Sequence, residues 1–246
     1  MKKTSIMQTT NYFDSHTPLY HAERYKYILS FVQKTSSSDS TFIDLGCGGG
    51  NIISCFKEKT MITNFTGVDT SVKLLEKARF KTSATIYEAS VIDPDLHIFL
   101  KQHYDYAMIG QVLHHLVSSS RDSSKRNARR TLINAWRILK PGGFLLVCEP
   151  VYSPAIAGDL IFWVKKVVTS FTSRRIELGG DRYHNLGAPV VSFLTDIELF
   201  RMINGLPSSQ IISWIPEVKP LSLIKRIACI NKCQIISCIV KKGIVQ

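Results

Sequence analysis

Two carboxylates and a run of glycines hold the chemistry most readily read from this chain. Asp44 closes a short apolar run, Thr41-Phe-Ile-Asp-Leu45, and Gly46, Gly48 and Gly50 follow it in a G-x-G-x-G spacing. Glycines at such positions let the backbone take positive φ and approach a ligand that a Cβ would hold off. A helix opening directly after the turn offers unpaired N–H groups. The dinucleotide fingerprint G-x-G-x-x-G requires glycine at position 51, and the residue there is Asn51. About 20 residues further on, a second apolar run, Asn64-Phe-Thr-Gly-Val-Asp69, also ends in an acid. An acid at the tip of the second strand is where α/β folds grip a ribose diol. Glycine turn and ribose acid together indicate an adenosine-bearing ligand. Asp44, just ahead of the turn, suits a ligand with a cationic end better than one with a pyrophosphate. The plain structural alternative is that Asp44 and Asp69 are strand-end acids that cap the following helices.

Two further clusters could move protons or hold a substrate. His114 and His115 follow an apolar run ending at Gly110, and histidine titrates near neutrality. They are the first candidates for a catalytic base, with packing at a helix start as the alternative. Gly179-Gly-Asp-Arg-Tyr-His-Asn185 gathers Asp181, Arg182, Tyr183 and His184 in one polar loop, with Arg174 and Arg175 just before it. Loops over a rigid scaffold carry function disproportionately. These six are the candidate substrate-binding residues, and His184 is a third candidate catalytic group.

The elements that must position these groups alternate. Strands are predicted near 41–46, 64–69, 84–88, 104–110 and 143–149, with helices near 18–33, 49–59, 71–81, 94–102 and 122–139. Such alternation means βαβ units and a parallel sheet. In the helix near 122–139, Ala128, Leu132, Ala135, Trp136 and Leu139 form one apolar stripe, and Lys140-Pro-Gly-Gly143 stops it. Residues 153–173 form an amphipathic helix with Ile156, Leu160, Trp163, Val164, Val167, Val168 and Phe171 on one side. That side is expected to pack or to form a lid over substrate, with lying on a membrane surface as the minority reading. Thr195 is the expected N-cap of a helix over 195–204. The runs 210–214 and 234–240 are expected to complete the sheet.

Four motifs in order make the chain resemble the class I S-adenosylmethionine-dependent methyltransferases. Phe42-Ile-Asp-Leu-Gly-Cys-Gly-Gly-Gly50 is similar to the family's first motif and Gly67-Val-Asp-Thr-Ser71 to its second. Tyr104-Asp-Tyr-Ala-Met-Ile-Gly-Gln-Val-Leu-His-His-Leu116 is similar to the fourth-strand motif, and Arg137-Ile-Leu-Lys-Pro-Gly-Gly-Phe-Leu-Leu-Val147 to the turn into the fifth strand. Asn11-Tyr-Phe-Asp-Ser15 resembles the aromatic lead-in that often covers the cofactor. The resemblance implies a Rossmann-like doubly wound sheet of seven strands, mostly parallel with an antiparallel last strand, with helices on both faces and a lid-like helical insertion after the fifth strand. It implies S-adenosyl-L-methionine as cofactor. Asp44, Gly46, Cys47, Gly48 and Gly50 would then surround the methionine end, Asp69 the ribose, and Thr70 and Ser71 the adenosine. Ser90 and Val91 would cover adenine, where relatives often carry an acid; here Glu88 precedes and Asp93 follows. Gly110 and Gln111 would line the methionine side, and Tyr12 would close over it. Expected boundaries are one domain over 1–246, with a covering segment at 1–40, a cofactor core at 41–150, a substrate-side insertion at 151–208 and terminal strands at 209–246.

Composition limits the alternatives. The chain of 246 residues is 45% hydrophobic and 20% charged, an ordinary globular mixture. Its six cysteines form no C-x-x-C pair, so buried thiols are expected and no metal site. The first residues lack a signal-peptide pattern and no apolar run reaches spanning length, which predicts a cytoplasmic protein with peripheral membrane contact at most. The formal charge is +12, with 19 basic and 13 acidic residues in 1–150 and 12 and 6 in 151–246. Such a field favours acidic partners. The sharpest cluster, Lys125-Arg-Asn-Ala-Arg-Arg130, is also consistent with a solvated helix face. The leading reading is methyl transfer to a small-molecule, saccharide or lipid-linked acceptor, at oxygen, by a monomer or homodimer. An RNA methyltransferase is the second reading, and a non-catalytic cofactor-binding homologue the third. Against RNA, the fourth strand is not followed by an N-P-P-Y-like tetrapeptide, and the basic cluster has no interleaved aromatics.

Overall fold

The computed structural model describes residues 22–171, 176–177, 185–186 and 189–244. Its sheet has seven strands: β1 (Thr41–Leu45), β2 (Asn64–Asp69), β3 (Thr85–Glu88), β4 (Tyr104–Gly110), β5 (Leu139–Ser153), β6 (Ser209–Val218) and β7 (Lys232–Lys242). Their spatial order is β3-β2-β1-β4-β5-β7-β6. The first five run parallel, and β7 is antiparallel to both β5 and β6. This is the mostly parallel sheet with an antiparallel last strand that the sequence predicts.

Central strands of a parallel sheet are covered on both faces and read as continuous apolar runs. β1 shows this, with Phe42, Ile43 and Leu45 all fully buried. Phe42 joins one core with Ile28 and Val32 of α1 (Lys26–Thr35) and with Ile53 and Phe56 of α2 (Asn51–Lys59). Ile43 and Leu45 join the other core with Leu96 of α4 (Leu96–Leu100), Leu132 and Ala135 of α5 (Arg121–Arg137), and Leu199 and Ile203 of α7 (Asp196–Asn204). α3 (Val72–Thr82) connects β2 to β3. Alternation along β1 puts Asp44 on the Phe42 side.

Local signals set the boundaries. Ser120 and Ser123 form a reciprocal capping box that starts α5, and Thr195 with Glu198 does the same for α7. The serine-rich stretch at 118–124 thus supplies the cap and first turn of α5. Lys140–Gly143 ends α5 as predicted, yet it belongs to β5. The ladder pairs Tyr104 with Leu139 and then Tyr106 with Phe144, so the Pro-Gly-Gly segment is a bulge within the strand. Gly142 supplies its positive φ of 81°. The predicted helix at 18–33 is described from residue 22, as a short 3-10 turn at Ala22–Tyr25 leading into α1.

The main departure concerns α6 (Ala155–Phe171). The apolar stripe expected to pack faces outward: Ile156, Leu160, Trp163, Val164, Val167 and Phe171 are all exposed. The buried side is made of Ala157, Gly158, Phe162, Lys165 and Thr169. Phe162 packs on Val117 and Val190, and Ala157 packs on Ile230 and Cys233. Arg121 fixes the helix further, reaching Asp159 at 3.2 Å, Glu198 at 3.1 Å and the Phe193 carbonyl at 2.8 Å. Its guanidinium lies so close to Gly158 that a Cβ there would sit 3.0 Å from it.

Candidate functional site

Where strand order reverses between β1 and β4, the carboxyl ends of the strands leave a crevice, the usual ligand position in such sheets. A cavity of about 250 Å³ occupies it. The glycine turn forms its floor. The N–H groups of Gly46 and Cys47 both donate to the Val68 carbonyl, at 2.7 and 3.0 Å, clamping the turn to β2. Gly46 has φ 86°, and a Cβ there would lie 2.4 Å from Val112. At Gly48, with φ 50°, a Cβ would meet only Leu74, at 3.7 Å, so the bare backbone faces open space.

Asp69 organises this floor. Its Oδ2 accepts from the Gly48 N–H at 2.9 Å, and its Oδ1 accepts from Thr70 and Ser71 N–H at 2.7 and 2.9 Å. Ser71 then caps α3 through Leu74 N–H. Asp44 is the opposite case. Its carboxylate is fully buried, and neither oxygen has a hydrogen-bond partner among the described residues. Burial, with Asp69 nearby, pushes its pKa up to about 8. A buried carboxyl without partners costs free energy in the empty protein, unless a donor or cation arrives to meet it.

The opposite wall comes from β4 and β5. Gly110 and Gln111 line the cavity. Gln111 sits at φ 59°, an unusual conformation for a residue with a side chain, held by its N–H donating to the Cys148 carbonyl at 2.8 Å. Its Nε2 is buried without an acceptor among the described residues. The histidines that follow divide. His115 lines the cavity, whereas His114 turns behind it. His114 Nδ1 lies 2.6 Å from Glu149 Oε1, and Glu149 also accepts from the backbone N–H groups of Leu113 and His114. Burial pushes Glu149 up to about 8 and His114 down to about 3, so the pair is neutral, with one proton shared between acid and imidazole. The His115 ring lies tilted by 42° against His114 with centroids 3.9 Å apart, and burial, His114 and Lys165 hold it well below the usual imidazole range.

Of the predicted residues, Gly46, Cys47, Gly48, Asp69, Thr70, Ser71, Ser90, Val91, Gly110, Gln111 and His115 line one cavity. Asp44, Gly50 and His114 do not. Asp44 lies buried within β1, Gly50 precedes α2 at φ 74°, and His114 is drawn inward by Glu149. Glu88 and Asp93 are likewise off the wall, which Ala89 and Ile92 share with Ser90 and Val91. Tyr12, Arg174, Arg175, Asp181, Arg182, Tyr183 and His184 lie outside the described residues. The structure adds residues that the sequence did not single out. Arg24 and Tyr25 come from the turn before α1, Asn51 and Ile52 from α2, and Leu116 and Asn127 from the far side. Glu149 was missed because an acid inside a strand resembles any strand-end acid until its histidine partner is seen.

Residues 43–145 match the family model of a methyltransferase domain. Over that segment the chain is similar to methyltransferase domains. No curated protein sequence matches it. Among solved structures, magnesium protoporphyrin IX methyltransferase from Synechocystis PCC 6803 superposes with a TM-score of 0.60 at 12% identity, covering 97% of this chain and 100% of that one. The N-methyltransferase NodS from Bradyrhizobium japonicum WM9 gives 0.59 at 10% identity, with 97% and 98% covered. The [4+2]-cyclase SpnF gives 0.57 at 16% identity, with 91% and 82% covered. These likenesses concern the fold, and the cyclase among them shows that this fold hosts more than one chemistry. No described helix is long and apolar enough to cross a membrane.

Proposed function

We propose that this protein is an S-adenosylmethionine-dependent methyltransferase that acts on an oxygen of a small-molecule, saccharide or lipid-linked acceptor entering beside His115, Leu116 and Asn127. The observation that carries the cofactor part of this reading is Asp44, a buried carboxyl beside the glycine turn whose oxygens have no partner among the described residues. An ammonium group above that turn would stabilise its charged form. Asp69, already oriented by three backbone N–H groups, is the ribose ligand, and Thr70 and Ser71 flank it. Ser90, Val91, Ile92 and Leu74 form the adenine walls. Arg24 is the cation for a carboxylate, and Gln111 uses its buried amide on the same methionine end.

S-adenosylmethionine, when bound, supplies a methyl group already activated on sulfonium. The chain's own task is therefore to align the acceptor and exclude water. Alignment alone is worth up to about 7–11 kcal/mol in ideal cases. His115 faces the cavity as a neutral imidazole, which can accept a hydrogen bond from an acceptor hydroxyl and orient it toward the methyl group. His114 and Glu149 hold its position from behind.

The test is calorimetric titration of the full chain with S-adenosylhomocysteine, followed by incubation of a cell extract with tritiated S-adenosylmethionine and the protein. One-site binding, with label in the small-molecule or lipid fraction, is the expected result. Absence of binding overturns the cofactor assignment, and label confined to RNA overturns the acceptor class.

A further inference from the structure

The face of α6 that the sequence assigned to packing is instead turned to solvent. Ile156, Leu160, Trp163, Val164, Val167 and Phe171 recur at helical spacing, with exposures running from 39% at Val164 to 86% at Phe171. Isolated apolar residues on a surface are ordinary, but a whole helical face is not. The neighbouring segment repeats the arrangement. Ile161 of α6 packs against the cluster of Ala157, Ile230 and Cys233, as do Leu221 and Ala228, which flank the short helix α8 (Leu223–Ile227), and Leu223 and Ile227 are each 72% exposed.

Charge identifies what covers these faces. On α6, Lys166 lies over the Trp163 ring at 5.0 Å, placing a cation at the edge of the apolar stripe. The helix's one acid, Asp159, is paired with Arg121. Residues 219–232 contain Lys219, Lys225, Arg226 and Lys232 and no acid; Lys219 pairs with Glu217 and Lys232 with Asp196, while Arg226 is exposed between the two outward apolar side chains of α8. A large apolar centre with a cationic edge and an aromatic residue at the boundary matches the interface of an anionic bilayer. A second copy of the chain would bring the same cations against the same edge, within a molecule of net charge +12, and like charges oppose that pairing. Nucleic acid would satisfy the cations and leave the apolar centre wet.

We infer that the outward face of α6, together with α8, docks this protein on an anionic lipid surface. Phe162, on the opposite side of α6, packs on Val117, which directly follows the cavity-lining segment of His115 and Leu116. Docking therefore sets the acceptor side of the cavity next to the bilayer, and a lipid-linked acceptor is the class that this placement serves. That last step rests on the methyl-transfer reading; docking itself does not.

The experiment is cosedimentation of the full chain with vesicles of phosphatidylcholine alone or mixed with phosphatidylglycerol, with S-adenosylhomocysteine calorimetry run in parallel. Expected is binding to the mixed vesicles that falls with added salt, and a shift of Trp163 fluorescence to shorter wavelength. The double variant Trp163→Ser, Val167→Ser should lose about tenfold in partitioning while keeping nucleoside affinity. Arg226→Glu should weaken binding to mixed vesicles only. A wild-type protein left in the supernatant by both vesicles overturns the inference, as does a double variant that binds like the wild type. Light scattering that shows a dimer which the double variant dissociates overturns it in favour of a second copy. Unchanged calorimetry beside lost sedimentation separates failure of the docking surface from failure of the cofactor reading.

Discussion

From Thr41 to Cys148, the glycine turn, Asp69 and the 89–93 loop around the cavity are fixed by hydrogen bonds to the chain's own backbone. Asp69 accepts three backbone N–H groups, Gly46 and Cys47 hang from the Val68 carbonyl, and Asn134 Nδ2 holds the 89–93 loop by donating to the Val91 and Asp93 carbonyls at 2.9 and 2.6 Å. From Ala155 onward the pattern reverses. Phe162, Ala157, Lys165 and the buried Arg121 hold the inner side of α6, and most of the helix's large apolar side chains face solvent. One region is preorganised for a ligand whose shape does not vary. The other presents a surface whose partner lies outside the fold. The contrast teaches where specificity resides: the cofactor half can be read without knowing the acceptor, and the acceptor half cannot be read from the sheet.

The largest effect should fall on the boundary between these regions. His115→Ala should lower turnover by about 10²-fold with S-adenosylhomocysteine affinity intact, because a group that orients the acceptor is lost and the nucleoside contacts are not. Single-turnover label transfer to the acceptor is the measurement, and an unchanged rate removes His115 from the chemistry. His114→Ala should act differently. It leaves Glu149 buried beside an empty space, so its first effect is a lower melting temperature. Arg121→Ala should cost about 2–3 kcal/mol in urea unfolding, less than a fully buried ion pair because Asp159 is half exposed. Arg121→Lys should recover only part of that, since an ammonium cannot reach Asp159, Glu198 and the Phe193 carbonyl together. Asp69→Ala should weaken S-adenosylhomocysteine binding at least about tenfold. Equal affinity by calorimetry would remove Asp69 from the ribose.

The sequence carried the cofactor half in detail because each residue there answers to a local rule. Gly46 must be glycine for its positive φ and its contact with Val112, and strand-end acids can be counted from the turn. Thr195 announced α7 by its capping chemistry. Orientation was not legible by the same means. Helical spacing shows that Leu160, Trp163 and Val167 share a face, but says nothing of what that face meets. Burial of the other side depends on Phe162 finding Val117 and Val190, contacts between distant segments. Glu149 was hidden for a related reason: its role depends on His114 coming within 2.6 Å across 35 positions of chain.

The smallest effect is the most discriminating for the cofactor half, and its sign can be worked out. Asp44 is raised from 3.8 to about 8 in the folded protein, so the native state holds its proton more tightly than the unfolded chain does. The stability this gives is fully present below the unfolded pKa and is lost as pH rises toward about 8. Glu149, raised from 4.5 to about 8, slopes the same way. His114, lowered from 6.5 to about 3, slopes oppositely, but only below about 6.5. The window between pH 6.5 and 8 therefore isolates the two acids. There the ligand-free protein should lose stability with rising pH, and Asp44→Asn, which mimics the protonated carboxyl, should lose less. Saturating S-adenosylhomocysteine places an ammonium by the carboxyl, favours its charged form and should flatten the wild-type slope, leaving the variant's slope as it was. Thermal melts across that window decide the matter. Equal slopes in both proteins, with and without ligand, would mean that Asp44 is buried for packing and never meets a cation.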